Sequence, residues 1–149
     1  MGCIILKVFR IGGCKMIYWK KEYELGVEEV DKQHKYLIDV AIEAYELLKN
    51  KLAVDKYDKI VGILQELRDY TIFHFEYEEG YMKEVAYPKL LSHKMEHKKF
   101  INKLNAVDLS AIDANQEEAL ISILEFIAVW LDSHILETDK RISEYTASN

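Results

Sequence analysis

Four segments of this chain repeat apolar side chains at three- and four-residue intervals, a period that dictates helices each burying one face. The first runs from about residue 28 to residue 50 and aligns Val30, His34, Leu37, Ala41, Ala44 and Leu48. A second, from about 55 to 79, aligns Ile60, Leu64, Leu67, Thr71, His74 and Glu78, with Asp55 placed to cap its start. The third carries Leu90, His93, His97, Phe100, Leu104 and Val107, and the fourth, from about 116 to 145, carries Leu120, Ile123, Ile127, Leu131, His134 and Thr138. Gly80 and Pro88 bracket the break between the second and third, and DLSAIDANQ reads as the loop before the fourth. Four long helices with short connections predict an all-α, up-down-up-down antiparallel four-helix bundle. The segment IYWKKEYELGV ahead of the first helix is expected to form an extended arm lying across the bundle.

Composition supports this reading and removes others. A chain of 149 residues with a single proline and six glycines has few breaks to offer a many-turned β fold. Its length is enough to bury a core without disulfides. A formal net charge of -6, with no basic stripe, disfavours a nucleic-acid partner. No continuous apolar run approaches the ~20 residues that span a bilayer, so no membrane partner is expected. Cys3 and Cys14 match no disulfide or zinc pattern and read as reduced thiols of a cytoplasmic protein. Residues 1–15 are expected to be an extension, a loose arm or a β-like tail. The helical domain then spans 16–149, and Met16 is an alternative start.

The chemistry is carried by where the histidines fall. All five in the chain, His34, His74, His93, His97 and His134, lie on the apolar stripes, and every helix contributes at least one. A buried imidazole must be paired or it costs free energy, and a shared metal pairs them all together. HKMEH puts His93 and His97 one turn apart on one face, and HFEYE does the same for His74 and Glu78. SHILETD places Asp139 five residues after His134, where a carboxylate at the helix end can turn inward. In an antiparallel bundle, positions early in helices one and three lie level with positions late in helices two and four. His34 and His93 come early; His74, Glu78, His134 and Asp139 come late. All of these candidates converge near one end of the bundle.

Such a set is too large for one ion. Two octahedral sites offer about twelve positions; five imidazoles and two bridging carboxylates fill about nine, and a solvent-derived bridge about two more. One position stays open for a small ligand. Imidazole with carboxylate suits iron better than zinc, which prefers four tight ligands.

Around these residues the chain resembles the hemerythrin family, in particular its short bacterial members. The likeness runs from about residue 17 to residue 145 and includes VDKQHKYL, HFEYEEGYM, YPKLLSHKMEHKKF and WLDSHILETD. It implies a non-haem centre of two iron ions. His93, His97 and His134 would hold one iron, and His34 and His74 the other, which keeps the open position. Glu78, Asp139 and an oxo or hydroxo group would bridge the pair. Dioxygen is then the expected partner, bound reversibly by a monomer for transport, storage or delivery, without catalysis. Leu37, Trp130, Leu131 and Ile135, within about a turn of the ligands, are expected to form an apolar oxygen pocket. The alternatives are an oxygen- or redox-sensing module, and a di-iron oxidase, peroxidase or nitric-oxide-handling protein. The ferritin-like oxidases are built around Glu-x-x-His pairs, and this chain has none.

Overall fold

A computed structural model describes residues 10–11 and 14–149 of the chain. The elements in order are strands β1 (Arg10–Ile11) and β2 (Cys14–Lys15), a 3-10 turn at Lys21–Tyr23, and helices α1 (Glu28–Lys49), α2 (Tyr57–Glu84), α3 (Leu90–Asn105), α4 (Leu109–Ala114) and α5 (Gln116–Ser133). A π turn at His134–Asp139 and helix α6 (Lys140–Ala147) complete them. The last three run as one rod from Gln116 to Ala147, so α1, α2, α3 and this rod are the four members of the expected bundle. Helix α1 packs on α2 and α5, and α2 packs on α3. The two strands pair antiparallel, with Arg10 opposite Lys15 and Ile11 opposite Cys14. The rest of the 1–15 extension lies outside the described residues.

The helices form where the periodicity placed them because their stripes share one core. Val30, Leu37, Ala41, Ala44, Ile60, Leu67, Phe100, Leu120, Ile127 and Leu131 are all buried. At roughly 1.5–3 kcal/mol for each large apolar side chain removed from water, this burial dominates the folding free energy. The rod's apolar stretch is long enough, by length and composition, to cross a membrane. Here its stripe is core-facing, with Leu120, Ile123, Leu124 and Ile127 buried against the other helices.

Four local readings are corrected. Gly80 does not end the second helix, which continues to Glu84. A helical glycine costs only about 1 kcal/mol relative to alanine, and Met82, fully buried with Tyr87 and Ile142, anchors the turn beyond it. The break comes at Ala86, whose φ is +54°. There the Tyr87 amide donates to the Met82 carbonyl at 2.8 Å and the Ala86 amide to that of Lys83 at 3.2 Å. This is the left-handed closure in which two carbonyls at the helix end are satisfied and the flanking apolar residues touch.

The expected loop at DLSAIDANQ contains helix α4. Asp108 accepts from the Ser110 and Ala111 amides, and Ile112 is buried beneath it. Asp55 accepts from the Tyr57 amide at 3.0 Å as a cap would, but Lys56 occupies the boundary position itself. The arm is not simply extended. Its 3-10 turn buries Tyr23, whose hydroxyl donates to Asp132 at 2.6 Å, while Lys140 Nζ donates to the Glu22 and Glu24 carbonyls.

The strain at Ala86 is open to test. An L-residue in the left-handed region is disfavoured by roughly 1–2 kcal/mol, and glycine is not. Ala86→Gly, partly offset by greater freedom in the unfolded chain, is expected to stabilise the fold by about 0.5–1 kcal/mol, read as a higher urea midpoint with unchanged slope.

Candidate metal centre

Helix periodicity alone accounts for most of the convergence. His34 sits early on α1, His74 and Glu78 stack one turn apart late on α2, and His93 and His97 do the same early on α3. His134 and Asp139 need a further device. Five residues of α-helix rotate through about 500°, leaving the second side chain roughly 140° off the first. The π turn absorbs this, with the Lys140 amide donating to the Ile135 carbonyl five residues back. One extra residue in the turn brings Asp139 under His134. All seven side chains expected as ligands are therefore together, none more than 4% exposed.

They divide into two groups with shared members. Glu78, His93, His97, His134 and Asp139 form one, and His34, His74, Glu78 and Asp139 the other; within each, one ligand atom per residue lies within 4.8 Å of the rest. Asp139 faces both: Oδ1 is 3.0 Å from His93 Nε2 and 2.9 Å from His134 Nε2, while Oδ2 is 3.2 Å from His34 Nε2. Glu78 Oε2 is 3.2 Å from His93 Nε2 and 3.1 Å from His97 Nε2. The Nε2 atoms of His93 and His97 each lie 3.2 Å from that of His134.

These close approaches do not satisfy the groups that make them. All four carboxylate oxygens of Glu78 and Asp139, and both nitrogens of His34, lack a hydrogen-bond partner of proper geometry despite complete burial. Lone pairs of nitrogen and oxygen aimed at common points are what a metal ligand set requires. The donor types, imidazole with carboxylate, are those of iron. The residues fit a pair of metal ions.

The outward ring nitrogens have partners that the apolar stripes did not flag. His74 Nδ1 meets Gln33 Oε1 at 2.8 Å, His97 Nδ1 meets Glu79 Oε1 at 3.0 Å, and His134 Nδ1 meets Glu96 Oε2 at 3.0 Å. Each partner is next to a ligand in sequence or, for Glu96, beside His97, one position off the stripe; that adjacency is the only sequence signal they leave. Aromatic rings fix the imidazole planes. Phe75 stacks on His97 at 3.6 Å and 3°, and Trp130 stacks on His134 at 4.2 Å and 14°. Trp130 thus stands over the larger group, whereas Leu37, Leu131 and Ile135 are buried core residues.

With protons as the only cations, the site's electrostatics are set by burial against charge. Burial pushes the His74 imidazole down to about 3. It acts the same way on His93, but the adjacent carboxylates of Asp139 and Glu78 overcome it and raise that ring to about 9. His134 is raised as well, burial again being outweighed by Asp139. Burial would raise Glu78 and Asp139, but the surrounding imidazoles hold both carboxyls below their usual range.

A helical bundle whose core is organised around paired imidazole–carboxylate metal sites is the class that this fold and site define. The Hemerythrin HHE cation binding domain family matches residues 25–145. A Bacteriohemerythrin of Clostridium acetobutylicum is 44% identical over 125 residues, covering 84% of this chain and 97% of that protein. A Bacteriohemerythrin of Methylococcus capsulatus is 29% identical, over 84% of this chain and 92% of its own length. A Hemerythrin-like protein of Naegleria gruberi is 28% identical, over 83% and 87%. The chain belongs to the hemerythrin family. It is a non-haem di-iron oxygen-binding protein, in a family that is generally not enzymatic.

Two pH effects follow for the metal-free protein. His93 has a folded value above its ordinary 6.5, so its contribution to stability is complete below 6.5 and is lost as pH rises through about 9. His74 has a folded value below 6.5, so the unfolded chain takes up a proton as pH falls from 6.5 toward about 3, and stability is lost there too. Chelator-treated protein is expected to resist urea best near pH 6.5. Adding metal at pH 7 should acidify a weakly buffered solution, as His93 gives up its proton.

Proposed function

We propose that His93, His97 and His134 hold one iron and His34 and His74 the other. Glu78, Asp139 and a solvent-derived oxo or hydroxo group bridge the pair, and dioxygen binds at the iron with two histidines. The observation that carries this reading is the sharing of Glu78 and Asp139 between a three-histidine and a two-histidine group. Unequal imidazole counts around shared carboxylates leave the smaller group a coordination position short. When bound, the iron pair supplies the electrons with which dioxygen is held and released. The protein's part is to aim the Nε2 lone pairs inward, hold Glu78 and Asp139 ionised, and keep water out.

Water exclusion favours carriage over turnover. His34 and His74 are each 1% exposed, and among the described residues the outward ring nitrogen of neither meets an acid that could protonate bound oxygen. Leu37, one turn beyond His34, and the buried Leu131 and Ile135 extend this apolar surround. We read the protein as a cytoplasmic, monomeric module for transport, storage or delivery of oxygen.

Iron analysis with absorbance recorded through cycles of air and nitrogen tests the reading. Two irons per chain and a visible charge-transfer band that comes and goes with oxygen are expected; zinc, one iron, or bleaching without recovery would refute it. His74→Ala should abolish oxygen binding first. Leu37→Ala should cost about 2–5 kcal/mol of stability and shorten the lifetime of the oxygenated colour by admitting water.

A further inference from the structure

The outward nitrogens of the five imidazoles are not treated alike, and the inequality follows the division of the ligands. On the three-histidine side, two rings donate Nδ1–H to carboxylates: His97 to Glu79 and His134 to Glu96. On the two-histidine side, the single partner is the neutral amide of Gln33, on His74, and His34 Nδ1 is buried with none. His93 Nδ1 likewise has none. Among the described residues, two anionic partners therefore stand behind one metal position and none behind the other.

Each carboxylate is itself held in place. Glu79 Oε2 lies 2.9 Å from Lys94 Nζ, leaving Oε1 for His97. Glu96 Oε2 also accepts from the Thr138 hydroxyl at 3.0 Å, within the π turn. Gln33 is oriented by its own amide, which donates to Glu29 at 3.2 Å, so its carbonyl must point at His74. A hydrogen bond from the far ring nitrogen to a carboxylate pushes electron density onto the ligating nitrogen and strengthens it as a donor. A neutral amide does so less.

We propose that Glu79 and Glu96 are positioning residues that make the three-histidine iron the electron-rich member of the pair. Gln33, being neutral, keeps the two-histidine iron the stronger Lewis acid, so that a small ligand is directed to it. This inference rests on the ligand division proposed above. It assigns the unequal character of the two irons to the shell behind the imidazoles as well as to their number.

The test uses the whole chain loaded with iron, comparing Glu79→Gln, Glu96→Gln and the pair with Glu125→Gln, an exposed control on α5 nine residues before His134. Glu79 and Glu96 are both partly exposed, so the isosteric amide leaves the core packing untouched. Each is expected to weaken ferric relative to ferrous iron binding about tenfold, raising one midpoint potential by about 59 mV for a one-electron couple. Chelator competition should show about 10–100-fold weaker iron retention. The double exchange Glu29→Gln with Gln33→Glu keeps the Gln33–Glu29 bond in reversed sense and puts an anion behind His74. It should move a potential the opposite way and weaken binding of azide, used as a small anionic probe. If the parent holds two irons and binds oxygen while the Gln variants keep the potentials of the control, this inference is wrong and the function stands. Fewer than two irons in the parent overturns both.

Discussion

Seven polar side chains, five of them imidazoles and two carboxylates, are removed from water near one end of an apolar bundle, and the rest of the molecule is arranged around that cost. Each such group buried without a partner is unfavourable by roughly 1–3 kcal/mol, and an unpaired charge by more. In the metal-free chain burial lowers all three rings, but the carboxylates of Asp139 and Glu78 outweigh it at His93 and His134 and raise them, while His74 is lowered. Metal cations at the two focal points satisfy all of the lone pairs together. Metal binding and the stability of this end of the bundle are therefore one equilibrium.

That constraint explains the irregular features near the site. A continuous α-helix from Gln116 to Ala147 could present His134 or Asp139 to the interior, but not both; the π turn between them is the local adjustment. Its neighbours hold it. Thr138 bonds to Glu96, Tyr23 and Lys20 bond to Asp132 just before it, and Lys140 just after it bonds to the arm's carbonyls. The small cluster of Met82, Tyr87 and Ile142 seals the near end of the bundle, and Tyr145 ties to the Ala86 carbonyl at the chain reversal. The arm and the reversal are thus part of what positions Asp139.

The same division of labour appears around the rings. Hydrogen bonds set which nitrogen of His74, His97 and His134 faces inward, and stacking by Phe75 and Trp130 sets the planes of His97 and His134. Preorganised ligands lose little further freedom on binding metal.

By itself the sequence determined the helices, their buried faces and the identities of the inward-facing polar residues, because a 3.6-residue period converts spacing directly into direction. Even the level at which the ligands meet was legible, since antiparallel order maps early positions onto late ones. Only the tertiary structure decided how Asp139 reaches the site, where the second helix truly ends, and that DLSAIDANQ holds a helix. Those outcomes depend on local departures from the period, at the π turn, at Ala86 and at the Asp108 cap, that packing selects among near-equal alternatives. It alone also revealed Gln33, Glu79 and Glu96 behind the imidazoles. Their partners lie 18 to 41 residues away along the chain, and no pattern within one helix encodes a contact made between two.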